Sequence, residues 1–470
     1  MSCSCLRRGA AIDSDDEFLR EPRVGGGACD SGSPAKPNAA KLFARGRRRK
    51  QRLRPTSVAR GFDARRRERS GGVVRSKGDA RGWDRAIDSL QCCGAKPNPH
   101  PNPNPNPHPH ATTMVWTAAG NDAVELAEDF AFPDADGESF VDDLKAACAA
   151  AGVEPHPHML AHPLTGAPVT AEVHVRNMQC DRNSLACLLE VLKAHPAVAA
   201  LRFHNAALSQ ASVELLAARL PETTVGTLAV DFNDAAAVPD KSAYAALAGK
   251  ASKLRVLSLR GCGLDEGAGL ALAANLEVNV GLRALNLFQN FGLGDTFAGA
   301  AASALRFNAG LQSLCLGSAG FGAEGVLAML RLVTRSEVTE AEAQRYADAE
   351  ERVASFNAAA GGGKKGKKGA DGPVEPLPPM KPLEAAEDGS DAKFMYGHAS
   401  LARLSLVGNA CAPAVAGQAR ALLLGPAAEK AGVKASLRLL DLRGCGFAPS
   451  PDVDALLEGL PGVMFFDEAA

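Results

Sequence analysis

Cys262, Asn290, Asn409 and Cys445 are the side chains of this chain that combine reactive or ligating chemistry with regular spacing. Thiols and amides could hold a metal or shape a nucleophilic site. Each of the four, however, closes the same local frame: Leu259-Arg-Gly-Cys262, Leu287-Phe-Gln-Asn290, Leu406-Val-Gly-Asn409 and Leu442-Arg-Gly-Cys445. A residue recurring at one repeat position turns inward after its strand, where it satisfies loop backbone groups or, as Cys, packs as a small hydrophobe. The four are therefore read as a structural ladder. His156-Pro-His158 and His162 form a second group with ligand chemistry. Zinc needs donors converging on a fixed tetrahedron, and no cysteine pair lies beside these histidines, so they are read as a surface connector.

Other reactive residues are placed just as poorly. The prolines alternating through Lys96 to His110 impose no pocket on its histidines, and Cys3, Cys5, Cys92 and Cys93 lie in sequence read as unfolded. Gly361-Gly-Gly-Lys-Lys has no strand before it and no helix after it, so it is read as a cationic linker, not a phosphate cradle. The sequence carries no Gly-rich phosphate loop with a Lys, no nucleophile elbow and no HExxH. The expectation is a non-enzymatic chain with no cofactor and no metal.

The elements that position these residues follow one template, apolar-x-x-apolar-x-apolar. Its clearest copies are Leu254-Arg-Val-Leu257-Ser-Leu259 and Leu282-Arg-Ala-Leu285-Asn-Leu287. The second apolar position recurs at Leu201, Leu228, Leu257, Leu285 and Leu314, a period of about 28 residues, and returns at Leu404 and Leu440. Between copies, Ala268, Leu272, Leu276 and Phe297, Ala301, Leu305 fall at fourfold spacing, which predicts one buried helix face after each strand. The pattern resembles leucine-rich repeats of the ribonuclease-inhibitor-like subclass. That resemblance implies an α/β solenoid, a horseshoe with a parallel concave sheet and convex helices.

Composition divides the chain. Residues 1–113 read as a disordered basic and Pro/Asn-rich tail, with Arg45 to Lys50 as a solvated run; Met114 is a second candidate start of translation. Residues 116–195 are assigned to an N-terminal cap, with a helix from Ser139 to Ala151 and a strand at Glu172–Arg176. The repeats run over 196–335. A capping box at Thr339 to Glu342 predicts an extra helix over 336–358. Residues 359–395 read as a disordered Lys/Gly/Pro-rich insert, and C-terminal repeats fill 396–470. The twelve cysteines include no pair of CxxC motifs, no signal-peptide core opens the chain, and no apolar run approaches the ~18 residues of a span. These features lead to the expectation of a cytoplasmic chain with no membrane contact and no nucleic acid.

What remains for function is the concave wall. The residues flanking the inward leucines are expected to point outward and bind protein: His174, Arg176, Arg202, His204, Asp231, Ser258, Arg260, Asn286, Phe288, Arg403, Asp441 and Arg443. The order of parts is similar to the family of leucine-rich-repeat-containing protein 71. The matching parts are the Phe140-x-x-x-Leu144-x-x-x-Cys148-x-x-x-Gly152 helix, the five-repeat block, the charged helix and Lys-rich insert, the resumption after Lys393-Phe-Met395, and Cys445-Gly-Phe-Ala-Pro449. The resemblance implies a scaffold of the cilium or flagellum, part of the axoneme and its cytoskeleton. The competing reading, carried by the repeats alone, is a GTPase-activating or other regulator of a small GTPase.

Overall fold

The computed structural model describes residues 130–465 apart from 234, 250–251, 362–375, 399 and 463, together with 121, 124, 126 and 127. The basic run at 45–50, the His-rich tract, Cys3, Cys5, Cys92 and Cys93, and the Gly/Lys run after Gly361 lie outside the described residues.

Helix α1 (Phe140–Ala150) starts at Ser139, whose hydroxyl accepts from the Asp142 amide at 3.4 Å. Its stripe Phe140, Leu144 and Cys148 is buried, as the spacing predicts, and Gly152 ends it at φ 67°. A short helix at Pro157–Leu160 leads to the array: β1 (Glu172–Arg176), α2 (Arg182–Val191), β2 (Ala200–His204), α3 (Gln210–Arg219), β3 (Thr227–Asp231), α4 (Ser242–Ala246), β4 (Val256–Ser258), α5 (Glu266–Val278), β5 (Ala284–Asn286), α6 (Gly294–Leu305), β6 (Ser313–Cys315) and α7 (Ala323–Arg331). The chain then leaves the array through β7 (Ser336–Val338), α8 (Glu340–Gly361), β8 (Glu384–Ala385) and β9 (Lys393–Met395). It returns with β10 (Arg403–Ser405), α9 (Val415–Leu424), β11 (Leu439–Asp441), α10 (Pro451–Gly459) and the two-residue β12 (Met464–Phe465).

Nine strands form one parallel sheet in the order β1-β2-β3-β4-β5-β6-β10-β11-β12, open at both edges and flanked by helices. One in-register row joins Val173, Leu201, Leu228, Leu257, Leu285, Leu314, Leu404, Leu440 and Met464 across it. The seven leucines read from the repeat are that row, and none is more than 2% exposed. Burial of each stabilises the fold by roughly 2 kcal/mol. The helix stripes close the same core: Ala268, Leu272, Leu276, Phe297, Ala301 and Leu305 are all buried. β6 pairs with β10, Leu314 opposite Leu404, so the array continues as if the intervening residues were absent.

The intervening residues correct two expectations. The capping box is present, with the Thr339 amide donating to Glu342 Oε2 at 3.0 Å and the Glu342 amide to Thr339 Oγ1 at 3.3 Å, but the residues just before it form strand β7 instead of helix. The insert expected to be disordered over 359–395 has structure in its second half: β9 pairs antiparallel with β7 and β8, Ser336 opposite Met395. That half begins in a proline-rich stretch, yet Leu377 and Met395 are buried and supply the apolar anchors. Asn357 brackets Leu377, accepting from its amide at 2.7 Å and donating to its carbonyl at 3.0 Å. Arg345 docks α8 on α5 through both oxygens of Glu277 at 3.1 and 2.7 Å, and Arg306 reaches Glu342 at 2.6 Å. Among the described residues no helix is long and apolar enough to cross a membrane.

Candidate functional site

Five residues after each ladder leucine stand Ala206, Asn233, Cys262, Asn290, Ala319, Asn409 and Cys445, an alternation of Asn with Ala or Cys. Each Asn serves the loop of the preceding strand. The Asn290 carbonyl accepts from the Cys262 and Leu264 amides at 3.1 and 3.0 Å while its amide donates to the Leu259 carbonyl at 2.8 Å. Asn233 treats Ala206, Leu208 and Phe203 in the same way, and Asn409 treats Ala319, Phe321 and Leu316. Cys445 takes up the donor half of that role, its thiol pointing to the Leu406 carbonyl at 3.1 Å, and Cys262 does so toward Val230. Burial pushes the Cys262 thiol far above its ordinary range, so it stays protonated and donates. This ladder satisfies the backbone groups of successive loops.

On the other side of the sheet, nine of the expected residues are at least partly exposed: His174, Arg176, Arg202, His204, Asp231, Arg260, Phe288, Arg403 and Arg443. Ser258, Asn286 and Asp441 are buried, which removes them as contact residues. Their side chains are short and are used internally. Ser258 Oγ donates to Asp231 Oδ1 at 2.6 Å, Asn286 Oδ1 accepts from the Phe288 amide at 3.0 Å, and Asp441 holds the Arg443 guanidinium at 2.9 and 2.6 Å. They lie below the longer chains two residues further on.

Those longer chains make the site. The Arg260 guanidinium carbon lies 5.1 Å from the Phe232 ring centre and 5.5 Å from that of Phe288. His204 meets the far side of Phe232 edge-on, with ring centres 5.2 Å apart. The result is a row His204, Phe232, Arg260, Phe288 along the carboxyl ends of β2 to β5. Arg260 makes no salt bridge, and its buried Nε has no partner among the described residues. A guanidinium between two rings can still accept a carboxylate on its N–H groups. Burial lowers the pKa of His204, and Arg176 lowers it further, so the row's one fixed charge is the arginine.

Phe232 was not among the residues picked out from the sequence. It stands at φ 55°, the left-handed turn position that other strands fill with Asn205, Gly261, Gln289, Ser318, Gly408 and Gly444. A Phe there is costly, and such strain gathers at functional sites. The signal available in the sequence was an aromatic where the repeat otherwise has a turn former.

The connector histidines divide. His156 is fully buried, accepting the His158 amide on Nδ1 at 3.1 Å with Nε2 3.1 Å from the Gln179 carbonyl, and burial pushes it down to about 4. It fixes the connector. His162 instead reaches the first strand, where its ring centre is 5.4 Å from that of His174. Arg202, on the adjacent strand, donates from Nε to Glu172 Oε2 at 2.9 Å. A comparison with known protein families finds none that matches the chain, and one with curated proteins finds no match either.

Proposed function

We propose that this chain is a leucine-rich-repeat solenoid of the ribonuclease-inhibitor-like type, acting as a non-enzymatic scaffold that holds a protein partner on the sheet face opposite the helices. The observation that carries the reading is the Arg260 guanidinium, placed between Phe232 and Phe288 with no salt-bridge partner among the described residues. Arginine and aromatic side chains in such settings dominate interface energetics once desolvated. Arg176, on the neighbouring strand β1, adds positive charge, whereas Arg202 and Arg443 are paired with Glu172 and Asp441; a cationic centre of this kind suits an acidic or mixed protein surface. The order of parts shared with the leucine-rich-repeat-containing protein 71 family extends the proposal to a component of the ciliary or flagellar axoneme.

The test is quantitative pull-down from flagellar extract with wild type and the triple variant R202A/R260A/F288A, each first checked for an unchanged melting curve. Capture should fall by about thirtyfold, matching the roughly 2 kcal/mol expected of a desolvated Arg and aromatic pair. Equal capture by both proteins would move the partner off the sheet face.

A further inference from the structure

We propose that His162, Glu172 and His174 form a binding site for a divalent first-row transition ion of the zinc type. Glu172 and His174 are two residues apart on β1, so their side chains leave the same side of the strand, away from the leucines. β1 is the first edge of the sheet, and among the described residues no further strand covers it there. His162 arrives from a separate turn that its own backbone closes, its amide donating to the Ala167 carbonyl at 2.8 Å and its carbonyl accepting from Gly166 at 2.9 Å. The bridge between Ala161 and Pro168 fixes the base of that turn. Two independently positioned segments thus bring two imidazoles and one carboxylate together, with a ligand atom of each within 4.8 Å of the others.

Zinc sits about 2.0–2.2 Å from nitrogen and carboxylate oxygen, so modest side-chain rotations would close three donors around it and leave open positions. The surroundings favour this use. Arg202 holds Glu172 by one oxygen at 2.9 Å and leaves the other to an ion, the outer contact that usually orients a ligating carboxylate. The His174 ring has no hydrogen-bond partner among the described residues, so ligation would cost it nothing. His162 Nδ1 accepts a long contact of 3.3 Å from the Leu164 amide, on an exposed turn, and binding through Nε2 would sacrifice only that. Two imidazoles among three donors favour ions that bind nitrogen strongly. Calcium and magnesium require an oxygen-rich shell that this trio lacks. The site lies at the β1 edge of the face proposed for the partner and does not depend on that reading.

The experiment uses the full chain with His100, His108 and His110 replaced by Ala, so that the imidazoles of the His-rich tract do not contribute. Cobalt(II) is titrated while the visible bands of low-coordinate cobalt are followed, and zinc affinity is measured by competition. The expected result is one cobalt per chain, displaced by zinc but not by calcium or magnesium. H162A and H174A should each weaken binding at least about tenfold. E172Q preserves the shape of the site and should weaken it as the histidine variants do, which guards against a variant that fails to fold. Melting curves of the metal-free proteins should coincide. Cobalt binding unchanged in H162A and H174A, or absent from the parent, would overturn the site.

Discussion

The array and the excursion that interrupts it are built by different rules. From β2 to β11 each array strand places its leucine opposite the leucine of the next, and each ladder Asn or Cys reaches back to the loop before it. Stability there is a sum of identical neighbour contacts, so one sequence pattern specifies many strands. The excursion from Ser336 to His398 has no period. It is held by single, unlike contacts: Arg345 on Glu277, Asn357 on Leu377, and Arg335 over the Phe394 ring at 3.6 Å. A repeated rule makes a rigid platform, whereas a set of one-off contacts attaches a module to it.

The largest expected effect separates the two. Leu285→Asp puts a charge in the middle of the continuous row, a cost of several kcal/mol after relaxation, and should abolish cooperative melting of the whole array. Met395→Asp puts an equal insult in the excursion and should expose β7 and β9 to hydrogen exchange while protection of β4 to β6 stays at the wild-type level. If both variants melt alike, the excursion is part of the array's cooperative unit and the contrast fails.

The next effect lies where the regions join. His398 brings the chain back, its amide donating to the Leu332 carbonyl at 2.8 Å and its Nδ1 accepting from the Leu401 amide at 3.1 Å. It occupies the position of Asn308, which accepts from the Leu311 amide in the same way at 3.0 Å. Burial pushes His398 down to about 3, so the folded chain keeps it neutral where the unfolded chain protonates. Below an unfolded value of about 6.5 the unfolded state therefore binds the extra proton. Stability is lost as pH falls from there toward about 3, with a slope of at most about 1.4 kcal/mol per pH unit. His398→Asn should keep the fold and flatten that slope between about pH 6 and pH 4, as read by urea denaturation at each pH. An unchanged slope would mean that His398 is not held neutral.

The two regions also differ in how much the sequence disclosed. In the array the ladder leucines, the helix stripes and the inward Asn and Cys positions were all legible, because each recurs and every copy reinforces the others. In the excursion only α8 was legible, through the local Thr339–Glu342 box. β9 finds β7 across the chain by a pairing with no period, and the buried Leu377 is a lone apolar residue among prolines while Met395 sits in a short Phe-Met-Tyr run that carries no repeat signal. The candidate site was legible in part. Arg260 and Phe288 follow from alternation, but Phe232 requires knowing that a turn position can carry a ring, and Ser258, Asn286 and Asp441 are buried by their neighbours' height. The nearness of His162 to Glu172 and His174 depends on how the connector folds back, which spacing does not encode.

The central claim is that a partner docks on the array's sheet face and not on the excursion. It is tested most directly by placing a photo-crosslinking amino acid either at Phe288 on the sheet face or at the exposed Ser355 on α8, and irradiating each protein in flagellar extract. The account predicts a discrete adduct from position 288 that disappears when Arg260→Ala is added, with none of that adduct from position 355. An adduct from 355 alone, or one from 288 indifferent to Arg260, would contradict it.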